Sequence, residues 1–185
     1  MKRYHICLSG SGGQGLILGG VLLAHAAVID GKYITMTSSY GPEARGGASR
    51  SSLVISDKPI DNPMPDKLDV LLTMNQESCN CYVSHLKEDG ILLVDSTMVK
   101  HPPPIRHYSV PFTSLAAQAG AALAANVTAL GTIIGLTRIV KPVSLQIALR
   151  ARIKEEMLPL NENLLQLGLK DGRKLKNHSS EYYTY

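Results

Sequence analysis

The chain lacks tryptophan altogether, has a single phenylalanine, and carries only three cysteines in 185 residues. Without aromatic side chains interleaved with basic ones it offers no groove for single-stranded nucleic acid. The net charge of +4 comes with acidic residues interspersed, so nucleic acid is not an expected partner. Three cysteines make no disulfide framework, and Cys79 and Cys81 are spaced as neither a CxxC motif nor a zinc knuckle. His5, His25, His85, His101, His107 and His178 show no metal-ligand spacing, so no metal site is expected. No apolar run is long enough to span a bilayer. The first apolar stretch leads straight into a glycine turn instead of a signal-peptide cleavage region. A cytoplasmic chain without disulfides is the expectation.

Catalytic signatures are also missing. Ser9 and Ser11 sit in no G-x-S-x-G elbow, and the G-x-x-x-x-G-K-[ST] phosphate loop is absent. Asp66, Asp69 and Asp95 flank apolar stretches without making a paired acid–base set. No catalytic residue is assigned. His25, within an apolar helix, reads as a hydrogen-bonded core or interface residue.

What the chain does have is aliphatic residues and glycine: 44% of it is hydrophobic, with 16 glycines and 10 prolines. That suits strands covered by helices. Strands are expected at Tyr4–Leu8, Tyr33–Ser38, Ser51–Ser56, Asp69–Met74, Ile91–Asp95 and Arg106–Val110. A meandering, proline-rich link covers Asp57–Lys67. Helices are expected at Leu16–Ile29, Gln76–Leu86, Ser114–Gly120, Ala124–Gly135, Val143–Glu156 and Asn161–Leu167, the last capped by Gly168. The alternation predicts a single α/β domain. Its sheet is mainly parallel and twisted, flanked by helices, with a Rossmann-like start and a helical C-terminal layer. Residues 1–170 form the domain and 171–185 a polar tail.

Two stretches carry the functional reading. Gly10-Ser11-Gly12-Gly13-Gln14-Gly15 follows the first strand and opens the first helix, a turn of bare backbone suited to a phosphate, a carboxylate or another chain. Gly10, Gly12 and Gly15 have G-x-G-x-x-G spacing, but the second strand ends in Thr37-Ser38-Ser39, with no acid for a ribose hydroxyl. A dinucleotide site, another ligand, a partner chain and a purely structural turn all stay open. Gln14 can face a ligand or act as a local cap. The second stretch is Tyr40-Gly41-Pro42-Glu43-Ala44-Arg45-Gly46-Gly47. Arg45 presents a fork of donors to a carboxylate or phosphate, or pairs internally with Glu43 or Asp57. Asn126 can cap the helix that it precedes. Alanine-rich segments allow close helix packing, within the fold or in a homodimer of the isolated chain.

Taken in order, these two stretches resemble the gamma subunit of the 2-oxoacid:ferredoxin oxidoreductases. So do Ser51 to Ile60, Asp69 to Asn75, Gly90 to Asp95, Asn126 to Gly131, and Asn161 with Gly168. The resemblance covers roughly residues 3 to 172 and implies the family's α/β fold. It implies a non-catalytic subunit of an enzyme that oxidatively decarboxylates a 2-oxoacid and forms an acyl-coenzyme A. It also implies that the chain alone binds no cofactor. Thiamine diphosphate with Mg2+ would lie on alpha and beta subunits, and an iron–sulfur cluster would pass electrons to ferredoxin, with a ferredoxin-like delta subunit as a further expected partner. Gly12 to Gly15 and Tyr40 to Gly47 would face the alpha subunit or the path of coenzyme A. The Tyr-Gly-Pro-Glu loop favours the 2-oxoglutarate type. A pyruvate or branched-chain type, or an independent nucleotide-binding protein, are the alternatives.

Overall fold

The computed structural model of the chain describes residues 3–40, 48–63 and 66–177. Six strands form one sheet: β1 (Arg3–Ser11), β2 (Tyr33–Tyr40), β3 (Ala48–Ser56), β4 (Leu68–Thr73), β5 (Leu86–Asp95) and β6 (Tyr108–Val110), in the order β2-β3-β1-β4-β5-β6. β1, β4, β5 and β6 run parallel, whereas β3 is antiparallel to both of its neighbours. The α/β domain is as expected, and its sheet is mixed. The short link explains why: only residues 41–47 separate β2 from β3. A parallel pair needs a crossover of about a dozen residues or more, so β2 and β3 must form a hairpin.

Among the described residues, six α-helices lie between or after the strands: α1 (Leu16–Ile29), α2 (Gln76–Tyr82), α3 (Phe112–Gln118), α4 (Ala125–Thr137), α5 (Pro142–Arg150) and α6 (Leu158–Asn177). Strand alternation divides the side chains between two faces. On one face Ile6, Leu8, Leu53, Ile55, Val70 and Leu72 join residues of α1, α4, α5 and α6 in the main core. On the other, Cys7, Leu71, Leu92 and Val94 pack under Cys79 of α2 and Val99. α2 covers only part of that second face. The small residues Ala116, Ala124, Ala125 and Ala129 are buried within the fold.

α4 is buried on every side from Ala125 to Leu136. Its backbone touches that of α6. A Cβ on Gly131 would lie 2.5 Å from the Leu165 carbonyl oxygen, and one on Gly135 would lie 2.6 Å from that of Leu169. Gly168 and Gly172 meet the carbonyls of Thr128 and Thr132 in the same way from the α6 side. Four glycines, spaced four apart on each helix, thus let two helices pack without side chains between them.

Several boundaries differ from expectation. Gly168 is no helix cap but a contact point inside α6, which runs on to Asn177 with Gly172 and Leu175 buried. Residues 170–177 therefore belong to the packed fold, and 178–185 lie outside the described residues. Pro159 does not interrupt the helix; it stands in the first turn, where its missing N–H costs nothing. α5 ends at Arg150. α2 stops at Tyr82 and gives way to a 3-10 turn, Val83–His85. β5 begins at Leu86, and Asp89-Gly90 falls in a bulge where the ladder passes from Leu68↔Leu86 to Val70↔Ile91. Among the described residues, no helix is long and apolar enough to cross a membrane.

Candidate functional site

The glycine turn leaves β1 at its carboxyl end and enters α1. Gln14 holds it from inside. The Ser11 N–H donates to Gln14 Oε1 at 2.7 Å, and Gln14 Nε2 donates to the Met74 carbonyl at 2.9 Å. Each end of the amide makes one hydrogen bond within the fold, so Gln14 ties the turn to the end of β4. Gly10 leaves room for it: a Cβ there would lie 2.8 Å from the Met74 Cβ. Asn75, which sequence reasoning missed, adds a second tie. Its Nδ2 donates to Ser11 Oγ at 2.5 Å, and its Oδ1 caps α2 by accepting from the Ser78 N–H at 2.8 Å. The signal was an Asn directly before a helix, the commonest N-cap setting.

Asn126 is a third tie, not the expected cap. It lies one residue inside α4 and is buried. Its Nδ2 donates to the Gly15 carbonyl at 2.8 Å, and its Oδ1 accepts from the Val127 N–H. Gly15 adopts φ +69, in the left-handed region, and a Cβ on it would lie 2.6 Å from Asn126 Nδ2. Only glycine fits both the conformation and the contact. Gly12 and Gly13 stand exposed at the tip. The turn therefore presents bare backbone on a rigid support, at the start of a helix whose N-cap has no side-chain hydrogen bond.

The second stretch shares this edge. Ser11 pairs with Ala48, so the β3 foot of the β2–β3 loop stands beside the turn, and Tyr40, paired with Ser49, puts the β2 foot one strand further along the same edge. Gly41, Pro42, Glu43, Ala44, Arg45, Gly46 and Gly47 lie outside the described residues, as does the side chain of Tyr40. The same pairing removes the geometry of a dinucleotide site. In that fingerprint the second strand lies beside the first, and its acid reaches the ribose. Here β3 lies between β1 and β2, which puts the tip of β2 two strand spacings away, roughly 10 Å.

Two of the three acidic candidates are spent structurally. Asp95 is wholly buried and accepts from the N–H groups of Thr97 at 3.0 Å and Thr113 at 3.2 Å, and from the Thr113 hydroxyl. Asp69 sits at the far end of the sheet, accepting from the His5 N–H and from Lys87 Nζ. His25 is half-buried, and its Nδ1 has no hydrogen-bond partner among the described residues, so it is not the hydrogen-bonded core residue of the first alternative. Among the described residues, no three His, Cys, Asp or Glu side chains gather where they could hold a metal.

The cysteines differ sharply. Burial pushes the Cys7 thiol up to about 12 and raises that of Cys79, while Cys81 is exposed. Only the thiolate reacts. A thiol reagent at pH 8 should therefore modify one site per native chain, Cys81, and three after unfolding. A second fast-reacting native thiol would contradict this packing.

Beside the turn lies a hollow of about 380 Å3 whose apolar lining includes Leu18, Ala121, Leu123, Val127, Ile153 and Met157. Leu123 is 82% exposed, more than any other large hydrophobic residue among those described. Sequence reasoning missed this patch because its residues come from three separate segments.

Comparison with known proteins adds four findings. Residues 5–170 match the model of the family "Pyruvate ferredoxin/flavodoxin oxidoreductase". The chain is 44% identical over 153 residues to 2-oxoglutarate synthase subunit KorC of Methanocaldococcus jannaschii, covering 80% of this chain and 82% of that one. It is 34% identical over 166 residues to ketoisovalerate oxidoreductase subunit VorA of Methanothermobacter thermautotrophicus, covering 87% of this chain but 35% of that one. Among solved structures, the keto/oxoacid ferredoxin oxidoreductase gamma subunit of Geobacter sulfurreducens superposes with a TM-score of 0.85. It is 40% identical, with 94% of this chain and 98% of that chain covered.

Proposed function

Because the chain belongs to the pyruvate ferredoxin/flavodoxin oxidoreductase family, we propose that it is the gamma subunit of a 2-oxoglutarate:ferredoxin oxidoreductase. The observation that carries this reading is the near end-to-end match to a separate gamma chain, 98% of it covered at 40% identity. Identity to the 2-oxoglutarate synthase subunit is higher than to the ketoisovalerate subunit, which favours 2-oxoglutarate over a branched-chain 2-oxoacid. The pyruvate alternative rests on the family description and on matches of lower identity, 30% to a pyruvate/ketoisovalerate common gamma subunit and 25% to a pyruvate oxidoreductase subunit.

The site geometry supports a positioning role. At the carboxyl edge the chain places a braced turn, the feet of the Arg45 loop and an exposed apolar patch side by side, with no acid–base pair. Gly12, Gly13 and Arg45 would face the alpha subunit or the phosphates of coenzyme A, as backbone donors and a guanidinium suit. The exposed Leu123 and its hollow would seat part of the alpha subunit, since such a patch marks an interaction surface. The donor set of the described residues does not fit an iron–sulfur cluster. Thiamine diphosphate, Mg2+ and the clusters would therefore be held by the alpha, beta and delta subunits, in a cytoplasmic complex.

Co-expression with two candidate larger chains and a ferredoxin-like chain tests this. The complex should reduce ferredoxin with 2-oxoglutarate and coenzyme A, and the 185-residue chain alone should not. Arg45→Ala should leave the isolated fold intact and raise the coenzyme A KM or weaken assembly by roughly 10-fold, the loss of a charge-assisted contact. Full turnover without this chain would refute the reading. Unchanged assembly, turnover and KM in Arg45→Ala would remove Arg45 from it.

A further inference from the structure

The half of the second sheet face left bare by α2 carries polar side chains. Cys7 pairs with Ser52, Ser52 with Thr37, and Arg50 with Ser39, so Arg50, Ser52 and Thr37 share this face. They form the floor of a cleft of about 380 Å3 that His5, Tyr82, His85 and Asp66 also line. Such a volume is that of a small-molecule site.

Arg50 is the anomaly. It is half-buried, and its guanidinium lies 5.2 Å from the centre of the Tyr82 ring. Stacking of this kind fixes a guanidinium while leaving its in-plane N–H groups free. The four ion pairs of the described residues all lie elsewhere, and Asp66, though it lines the same cleft, makes none with Arg50. A partly desolvated cation with no counter-charge among the described residues is costly, and it becomes favourable once an anion arrives.

The neighbours are arranged around it. His5 Nδ1 lies 3.1 Å from the Lys67 carbonyl, which requires a proton on Nδ1. Burial lowers the His5 pKa, so the ring is neutral near pH 7 and its Nε2 accepts from the Ser52 hydroxyl at 2.8 Å. Ser52 is thereby occupied. The Arg50 fork and the exposed Thr37 hydroxyl remain as the donors that an entering group would meet.

We infer that this cleft is an oxyanion-binding site anchored by Arg50, taking a phosphate or carboxylate group of a small molecule with Thr37 as second donor. It lies on the sheet face opposite α1 and its glycine turn, and it stands whether or not the chain acts on 2-oxoglutarate.

The test is a pair of titrations of the full chain followed by NMR, one with inorganic phosphate and one with succinate. Each is run at constant ionic strength against sodium chloride. Saturable shifts should centre on Thr37, Arg50 and Ser52 and on the Arg50 Nε–H signal. Saturation by phosphate alone identifies a phosphate ligand, saturation by succinate alone a carboxylate ligand, and saturation by both a site general for oxyanions. Arg50→Gln should weaken binding about 10-fold or more, the loss of a bidentate charged contact. Thr37→Val, on the exposed edge strand, should weaken it several-fold with Arg50 intact, and guards against a folding defect in the first variant. Non-saturating shifts, or affinity unchanged in Arg50→Gln, would overturn the proposal. So would saturation centred on Arg138, Lys141 and Arg173, which line a separate hollow at the other end of α1.

Discussion

Gly168→Ala should destabilise the chain by about 3 kcal/mol, the upper end of the usual cost of forcing atoms into a filled contact. At roughly 2–4 °C per kcal/mol for a chain of this size, the melting temperature should fall by about 6–12 °C. The added methyl would be driven into the Thr128 carbonyl oxygen, a backbone atom of a helix buried on every side. Nothing flexible is available to move aside. Helix propensity acts in the opposite direction, since alanine is favoured over glycine by about 1 kcal/mol in a helix interior. Gly19→Ala isolates that term. A Cβ there meets only Leu8 Cδ1 at 3.5 Å and Leu130 Cδ1 at 3.7 Å, an ordinary contact. It should be neutral or mildly stabilising. Thermal and urea denaturation of both variants decide the matter. Equal effects would mean that α4 and α6 are not in backbone contact.

Gly15→Ala should cost about 2–3 kcal/mol, part from a left-handed alanine at about 1 kcal/mol and part from the Asn126 amide. That amide cannot turn away without abandoning the Gly15 carbonyl. Asn126→Ala alone should cost about 1 kcal/mol, the loss of one of the two hydrogen bonds to that carbonyl, which keeps the Gly19 N–H as its other donor. The double variant is the informative one. Alanine at 126 makes room for the methyl, so the combined loss should fall short of the sum by about 1 kcal/mol. Strict additivity would show that the two residues do not touch. In an assembled complex, Gly15→Ala should also impair whatever the turn contacts, because its support is displaced.

Local features of the fold were legible, and long-range ones were not. β1, the turn and α1 could be placed from apolar runs and glycine spacing, and the bounds of α1 hold to the residue. The antiparallel insertion of β3 was implicit in the short 41–47 link. Gly168 misled because a glycine after an apolar stretch reads as a helix stop. Its real partner, Thr128, lies 40 positions earlier in the numbering, and no local pattern announces that contact. Asn126 misled for the same reason: its type suits a cap, yet its amide is spent on Gly15, 111 residues away. The edge location of the turn and the loop feet was foreseeable. Arg50 and the Leu123 hollow were not, since each depends on which sheet face α2 leaves bare or on segments that meet only in space.

The β1–β3 ladder runs through nine consecutive pairs, from Arg3↔Ser56 to Ser11↔Ala48, and its rungs alternate between greasy and polar sides. Sliding β3 by a single position would turn Leu53 and Ile55 toward water and thrust Arg50 and Ser52 under α1. Such a slip is prohibitive, so the hairpin tip is free to gain, lose or exchange residues while its anchorage stays put. Whatever docks on this rim would meet two landmarks at an invariant spacing, gauged by the oil-filled interior rather than by the tip itself.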